Sequence, residues 1–248
     1  MRAARPKTIS PAFGLMWLFV FLMIVASFTA LADNISEPAW VYKGRGDRYY
    51  RNGQTGQAIY EYKKGLIRAN RSGSVYPEIN LQLAKIYRDE GLYDLALSQV
   101  ETVQKHRDSL QVPDFIYETL YTRADIYLLM KRYDEALKVY ESIIEQDKNR
   151  KLYSGLSIYE LRPGDFKDPL TAKRYAEAYL GIGMIKYMSF NYENAIPALK
   201  MAMLYSHKPD ITLNYLLNCY EKMEDSRAIE YLLGIMETQA KADNEGRS

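Results

Sequence analysis

The side chains able to do bond-making chemistry are few and scattered. The chain of 248 residues holds two histidines, His106 and His207, and one cysteine, Cys219. His106 follows Lys105 and His207 precedes Lys208, and neither shares metal-ligand spacing with another His, Cys or acidic cluster. There is no glycine-rich phosphate loop and no GxSxG nucleophile turn. Gly181 and Gly183 form an isolated G-x-G, but inside a helical pattern, where close helix packing is the simpler reading. Asp134 and Glu135 open another helical pattern, where carboxylates favour the positive end of the helix dipole. Cys219 occupies a small apolar core position. These residues nominate no catalyst, no cofactor and no metal.

What the chain does contain is repetition. An Ala-Ile or Ala-Leu pair recurs in similar surroundings at Ala58, Ala96, Ala136, Ala195 and Ala228. By subtraction of these numbers the steps are 38, 40, 59 and 33 residues, the period of a helical repeat array. Four residues beyond each alanine stand Tyr62, Val100, Tyr140, Leu199 and Leu232, and seven beyond stand Gly65, Val103, Ile143, Ala202 and Ile235. Offsets of zero, one, four and seven trace one apolar stripe on a helix. Twelve before the alanine comes a small residue, at Gly46, Ala84, Ala124 and Gly183, and nine before it an aromatic, at Tyr49, Tyr87 and Tyr127, with Tyr220 eight before Ala228. Small residues there let a second helix pack closely, so each unit is a helix, a tight turn and a second helix.

The order of small residue, tyrosine, turn, YDEA-like start and apolar stripe resembles the tetratricopeptide repeat. Copies are expected at about 39–70, 77–108, 117–148, 176–207 and from 209, the fourth carrying Lys186 in place of the tyrosine with Tyr187 beside it. The resemblance implies an all-α, right-handed solenoid of about five repeats, stabilised by stacking of neighbours. It also implies a concave face lined by first helices. Carried over place by place, that face presents Trp40, Lys43, Asp47, Tyr50 and Arg51 from repeat one, and Leu81, Lys85 and Arg88 from repeat two. Repeat three gives Tyr121, Asp125 and Leu128, repeat four Leu180, Met184 and Tyr187, and repeat five Asn214 and Asn218. Aromatics beside Arg or Lys are common anchors of peptide interfaces. The carboxylate clamp of chaperone-binding members is not expected, because Asp47 stands where Asn is required and Gln82, Glu118 and Thr122 fill the other places.

The amino terminus has a different character. Arg2, Arg5 and Lys7 precede an uncharged apolar run over 13–32 that ends Ala30-Leu31-Ala32. This reads as a secretory signal peptide, with an uncleaved inner-membrane anchor as the competing reading. Both export the repeats. The formal charge of +2 belongs to this leader, and the remainder carries 30 basic against 31 acidic residues once its three basic groups are removed. No nucleic-acid arm is present. The expected organisation is a leader at 1–32, repeats one to three over 33–148, an insert at 149–173, repeats four and five over 174–242 and a polar tail at 243–248. The insert holds Tyr153, Ile158, Tyr159, Leu161 and Phe166 beside the turn at Pro163-Gly164. It either packs on the surface with its own aromatics or folds over the groove. Pro197 is expected to be tolerated within the fourth repeat's second helix. The leading functional expectation is a non-catalytic envelope scaffold whose partner is another envelope protein or peptide segment. A periplasmic small-ligand or lipid carrier, with a pocket between the insert and repeat four, is the alternative.

Overall fold

The computed structural model describes residues 23, 37–112, 114–153, 155–162, 169–205 and 208–245. The leader at 1–32 lies outside them apart from residue 23, as do His207, Phe166 and the Pro163-Gly164 turn. The chain divides into two compact units, Met1–Ala69 and Asn70–Ser248. The first contains the pair α1 (Ala39–Arg51) and α2 (Thr55–Arg68). The second contains α3 (Val75–Asp89), α4 (Tyr93–Lys105), α5 (Asp114–Leu129), α6 (Tyr133–Ile144), α7 (Pro169–Met188), α8 (Tyr192–Leu204), α9 (Pro209–Lys222) and α10 (Ser226–Glu245). No strand occurs among the described residues. The fold is all-α and built from helix-turn-helix pairs.

One turn serves all five pairs. The second residue after each first helix takes a left-handed backbone, at Gly53, Gly91, Lys131, Phe190 and Glu224, with φ of 72°, 75°, 59°, 58° and 59°. The next amide reaches back five residues, from Gln54 to Tyr49 O, Leu92 to Tyr87 O, Arg132 to Tyr127 O, Asn191 to Lys186 O and Asp225 to Tyr220 O. This is a Schellman closure, which satisfies carbonyls that a helix end leaves orphaned. The recurrent tyrosine contributes its carbonyl to this bond, which explains why Lys186 can stand in its place.

The small residues pack as the spacing predicts. All five recurring alanines are completely buried, as are Ala84 and Ala124. A Cβ added at Gly46 would lie 2.5 Å from the Tyr62 ring, one at Gly183 2.4 Å from Leu199, and one at Gly181 2.5 Å from the Tyr140 ring. The G-x-G therefore serves two interfaces: Gly183 admits α8 within its own pair, and Gly181 admits α6 of the preceding one. Cys219 is buried and its thiol is pushed up to about 11 by that burial, in keeping with plain packing.

Within the second unit, each second helix also packs on the next first helix, and successive first helices touch one another, α3 on α5, α5 on α7 and α7 on α9. A core running from Ala124 to Leu232 fills the stack from the third pair onward. Pro197 lies past the first turn of α8 without ending it.

Two boundaries differ from expectation. α7 begins at Pro169, taking the end of the supposed insert into the fourth repeat. α10 extends to Glu245, so 243–245 are helical and not tail. The described part of the insert packs against the repeats, with a helical turn at Arg150–Tyr153 and a 3-10 turn at Ile158–Glu160. Ser157 starts that 3-10 turn, its amide donating to Glu160 Oε2 at 2.7 Å. Ile158 and Leu161 are buried in the core. The Lys200 amine of α8 donates to Leu156 O, Tyr231 of α10 donates to Leu161 O at 3.1 Å, and the Arg227 guanidinium lies 4.8 Å from the Tyr159 ring centre. These contacts tie the described part of the insert to second helices, and not across the first-helix face.

Two glycines of α1 separate propensity from packing. Gly44 has nothing within 4 Å of an added Cβ, so Gly44→Ala should stabilise by about 1 kcal/mol through helix propensity alone. Gly46→Val should destabilise by about 2 kcal/mol or more, because the buried Tyr62 ring must move. Urea denaturation of the two variants checks the opposite signs.

Candidate functional site

The first-helix face of the second unit is a wall of side chains joined from one pair to the next. From α3, Lys85 pairs with Glu118 of α5, and Arg88 reaches Asp125 of α5 at 3.0 Å. From α7, Arg174 holds Asp114 of α5 at 3.3 Å, and its backbone oxygen accepts from the Tyr121 hydroxyl at 2.6 Å. Glu177 of α7 lies 3.7 Å from Lys208, which precedes α9. Farther along, the Tyr187 ring of α7 meets Tyr215 of α9 edge-on at 5.2 Å and Tyr192 at 5.4 Å. Apart from Tyr187 with Tyr192, which lie in one pair, each of these links spans two repeats, so the wall is largely a product of the stacking.

Between α5 and α7 the wall opens into a cleft of about 330 Å³ lined by Asp114, Tyr117, Glu118, Tyr121, Arg174 and Glu177. The helix spacing explains the lining. Positions 114, 118, 121 and 125 on α5, and 174, 177, 181 and 184 on α7, each follow the three-to-four-residue step of one helix face. The Arg174 guanidinium lies 5.3 Å from the Tyr117 ring centre, which holds it flat against the wall. Asp125 is half-buried beside the cleft. Loss of solvent pushes its carboxyl up to about 6, with Glu177 adding to the rise and Arg88 and Lys208 opposing it.

Of the residues predicted for this face, Lys85, Arg88, Tyr121 and Asp125 come together in one network, while Tyr187 belongs to the neighbouring aromatic group. Met184 and Leu128 are partly buried against the core, Asn214 is exposed and Asn218 half-exposed. Leu81 and Leu180 are corrections. Both are buried among core side chains and offer no surface to a partner. In the first unit, Trp40 is exposed, and Lys43 pairs with Asp47 at 3.1 Å. Asp47 also accepts from the Tyr62 hydroxyl at 2.7 Å, and Arg51 donates to Asp47 O at 3.3 Å. Tyr50 is half-buried. Here Asp47 locks the pair together. Asp114, Tyr117, Arg174, Glu177 and Lys208 were not anticipated, and Glu118 was considered only as a departure from the carboxylate clamp. Same-face spacing along α5 and α7 is the sequence signal that marks these residues, except Lys208, which lies on neither helix.

The residues first considered for chemistry have structural explanations. His106 Nδ1 lies 2.9 Å from Thr102 O, with its ring edge-on to Tyr76. Asp134 and Glu135 lie in the first turn of α6, and the Arg132 guanidinium holds the Glu135 carboxyl below its ordinary range. Among the described residues no group of three or more His, Cys, Asp or Glu could hold a metal ion. Between the described part of the insert and repeat four, the Lys200 amine donates to Leu156 O, while Phe166 lies outside the described residues. A cleft of about 600 Å³ opens between Tyr159 and Arg162 of the insert and Glu230, Tyr231, Ile235 and Gln239 of α10.

Comparison with known proteins agrees with the repeat. Residues 117–150 match the family model described as the tetratricopeptide repeat. MamA 41-end from Desulfovibrio magneticus RS-1 superposes with a TM-score of 0.59 at 18% identity, over 84% of this chain and 99% of that one. A Podosopora anserina putative kinesin light chain with nearly identical TPR-like repeats gives 0.59 at 15% identity, over 84% and 99%. YrrB, titled a TPR protein with an unusual peptide-binding site, gives 0.52 at 14% identity, over 84% and 89%. At these identities the likeness is one of fold. An uncharacterized protein of Treponema pallidum (strain Nichols) is 28% identical over 89 residues, which span 36% of this chain and 23% of that protein.

Asp125 gives the site a pH signature. Its folded value near 6 is above the ordinary 3.8, so the stability it contributes is fully present below about pH 4 and is lost as pH rises through 6. The Tm difference between the unaltered chain and Asp125→Asn should therefore shift against the unaltered chain between pH 4 and pH 7, as thermal denaturation across that range would record.

Proposed function

We propose that this chain is a non-catalytic scaffold that holds a segment of another protein along the first-helix wall of α3, α5, α7 and α9. The observation that carries the reading is the cleft between α5 and α7. It is the place on that face where tyrosine surface and several charged groups converge on space large enough for a side chain. Rigid helices position all of it, and a recognition surface needs that preorganisation. The described groups are arranged to bind and orient, and none forms a nucleophile–base pair. YrrB, a protein of the same fold, is described as having a peptide-binding site, which supports a peptide segment as the kind of ligand.

The reading places the scaffold in the cell envelope. Its support is the leader, with Arg2, Arg5 and Lys7 before an apolar run that ends in Ala30-Leu31-Ala32. An exported scaffold would act on proteins of that compartment, either freely or from the membrane if residues 13–32 stay attached. The residues expected to face the partner are Lys85, Arg88, Tyr121, Asp125, Met184, Tyr187, Asn214 and Asn218, joined by Asp114, Tyr117, Glu118, Arg174 and Glu177.

A photo-crosslinking amino acid placed singly at Glu118, Met184, Leu95 or Glu230 in the producing cells tests the wall. Adducts to another protein should form from Glu118 and Met184. Adducts that form only from Leu95 of α4 and Glu230 of α10 would refute the wall and favour the second-helix side.

A further inference from the structure

The proposed wall also states a preference for the charge of its partner. Three ion pairs cross between first helices around the cleft, and in each the cation lies deeper than the carboxylate. The Lys85 side chain is 20% exposed against 43% for Glu118, Arg88 22% against 39% for Asp125, and Arg174 27% against 34% for Asp114. Glu177 adds a fourth carboxylate at 43% exposure, paired at 3.7 Å with Lys208, which at 51% is the more exposed partner and is not part of the cleft lining.

The cleft lining itself holds three carboxylates and one guanidinium. The carboxylates are paired, Asp114 with Arg174, Glu118 with Lys85 and Glu177 with Lys208. Of these cations Arg174 alone lines the cleft, and it is engaged by Asp114 and by the Tyr117 ring. The Tyr121 hydroxyl donates its proton to Arg174 O, so what it can offer a ligand is an oxygen lone pair. An incoming carboxylate would meet acceptors and negative charge. An incoming ammonium or guanidinium would meet carboxylate oxygens from both α5 and α7 beside two tyrosine rings, the kind of surroundings in which cations are bound.

We infer that the segment held by the wall is basic, and that one Lys or Arg side chain of it enters the cleft between α5 and α7, among Asp114, Glu118 and Glu177 and against Tyr117 and Tyr121. This deepens the proposed function and rests on it. The charge balance of the chain beyond the leader is near neutral, so the preference is local to the wall and separate from any general attraction of the protein for cations.

The test is selection of a random-sequence peptide library displayed on phage against the full chain in mild detergent, with the same detergent surface lacking protein as control. Recovered sequences should be enriched in Lys and Arg over the input library. Titration calorimetry on one synthetic selected peptide should then show about tenfold weaker binding, about 1.4 kcal/mol, when its basic residue is changed to Glu. A comparable loss should follow Glu118→Gln combined with Glu177→Gln in the chain. Both chain positions are on the surface, and an unchanged Tm would show that the variant remains folded. Acidic or uncharged sequences whose binding is lost with Met184→Glu would overturn the charge preference and leave the wall standing. Recovery of no sequence, or of sequences whose binding ignores every wall substitution, would overturn both.

Discussion

The structure depends on how closely two helices can approach when one of them offers no side chain. Gly46 lets the Tyr62 ring lie on the backbone of α1, Gly183 does the same for Leu199, and Gly181 for Tyr140 on the preceding pair. Opposite them the recurring alanines are sealed from solvent. Interiors are packed to the density of organic crystals, so these contacts tolerate little change in volume. They also set which face is left over. With the second helices spent on packing within and between pairs, the outward side of each first helix is free to carry polar and aromatic groups.

Those groups are then organised by the stacking and not by any one repeat. Arg88 and Asp125 are 37 residues apart in sequence, and Tyr121 reaches the backbone of Arg174 across 53. A half-exposed ion pair of this kind contributes little to stability by itself. Its consequence is positional, since it holds the carboxylates of α5 at the mouth of the cleft. The insert contributes on the other side. Asp147, buried just before it, accepts from Tyr179 at 2.8 Å and Tyr205 at 2.7 Å, which anchors the start of the insert to α7 and α8. The 59-residue step between Ala136 and Ala195 is therefore accommodated in part by contacts of Leu156, Tyr159 and Leu161 with the second helices α8 and α10.

Much of this was legible in the sequence because the repeat encodes it with residue types. Alanine and glycine spacing located all five pairs, and the apolar stripe identified the second helices. The turn was less legible. Gly53 and Gly91 announce a left-handed residue, but Lys131, Phe190 and Glu224 adopt it without glycine, because the closing hydrogen bond and the flanking helices impose it. Leu81 and Leu180 were placed on the open face by position within the repeat and are buried, since a family place marks a direction on a helix and not the depth of its neighbours. Asp114 and Arg174 were missed for a related reason. The helices that carry them start earlier than the repeat pattern indicates, and their pairing is a contact between repeats that no single copy contains.

The central claim is that the first-helix side is the working surface. Hydrogen–deuterium exchange of the full chain, with and without a saturating selected peptide, tests it most directly. Slower exchange should appear in peptides covering 114–129 and 169–188, with 133–144 and 226–245 unchanged. Protection confined to 133–144, 226–245 or the insert at 150–162 would contradict it.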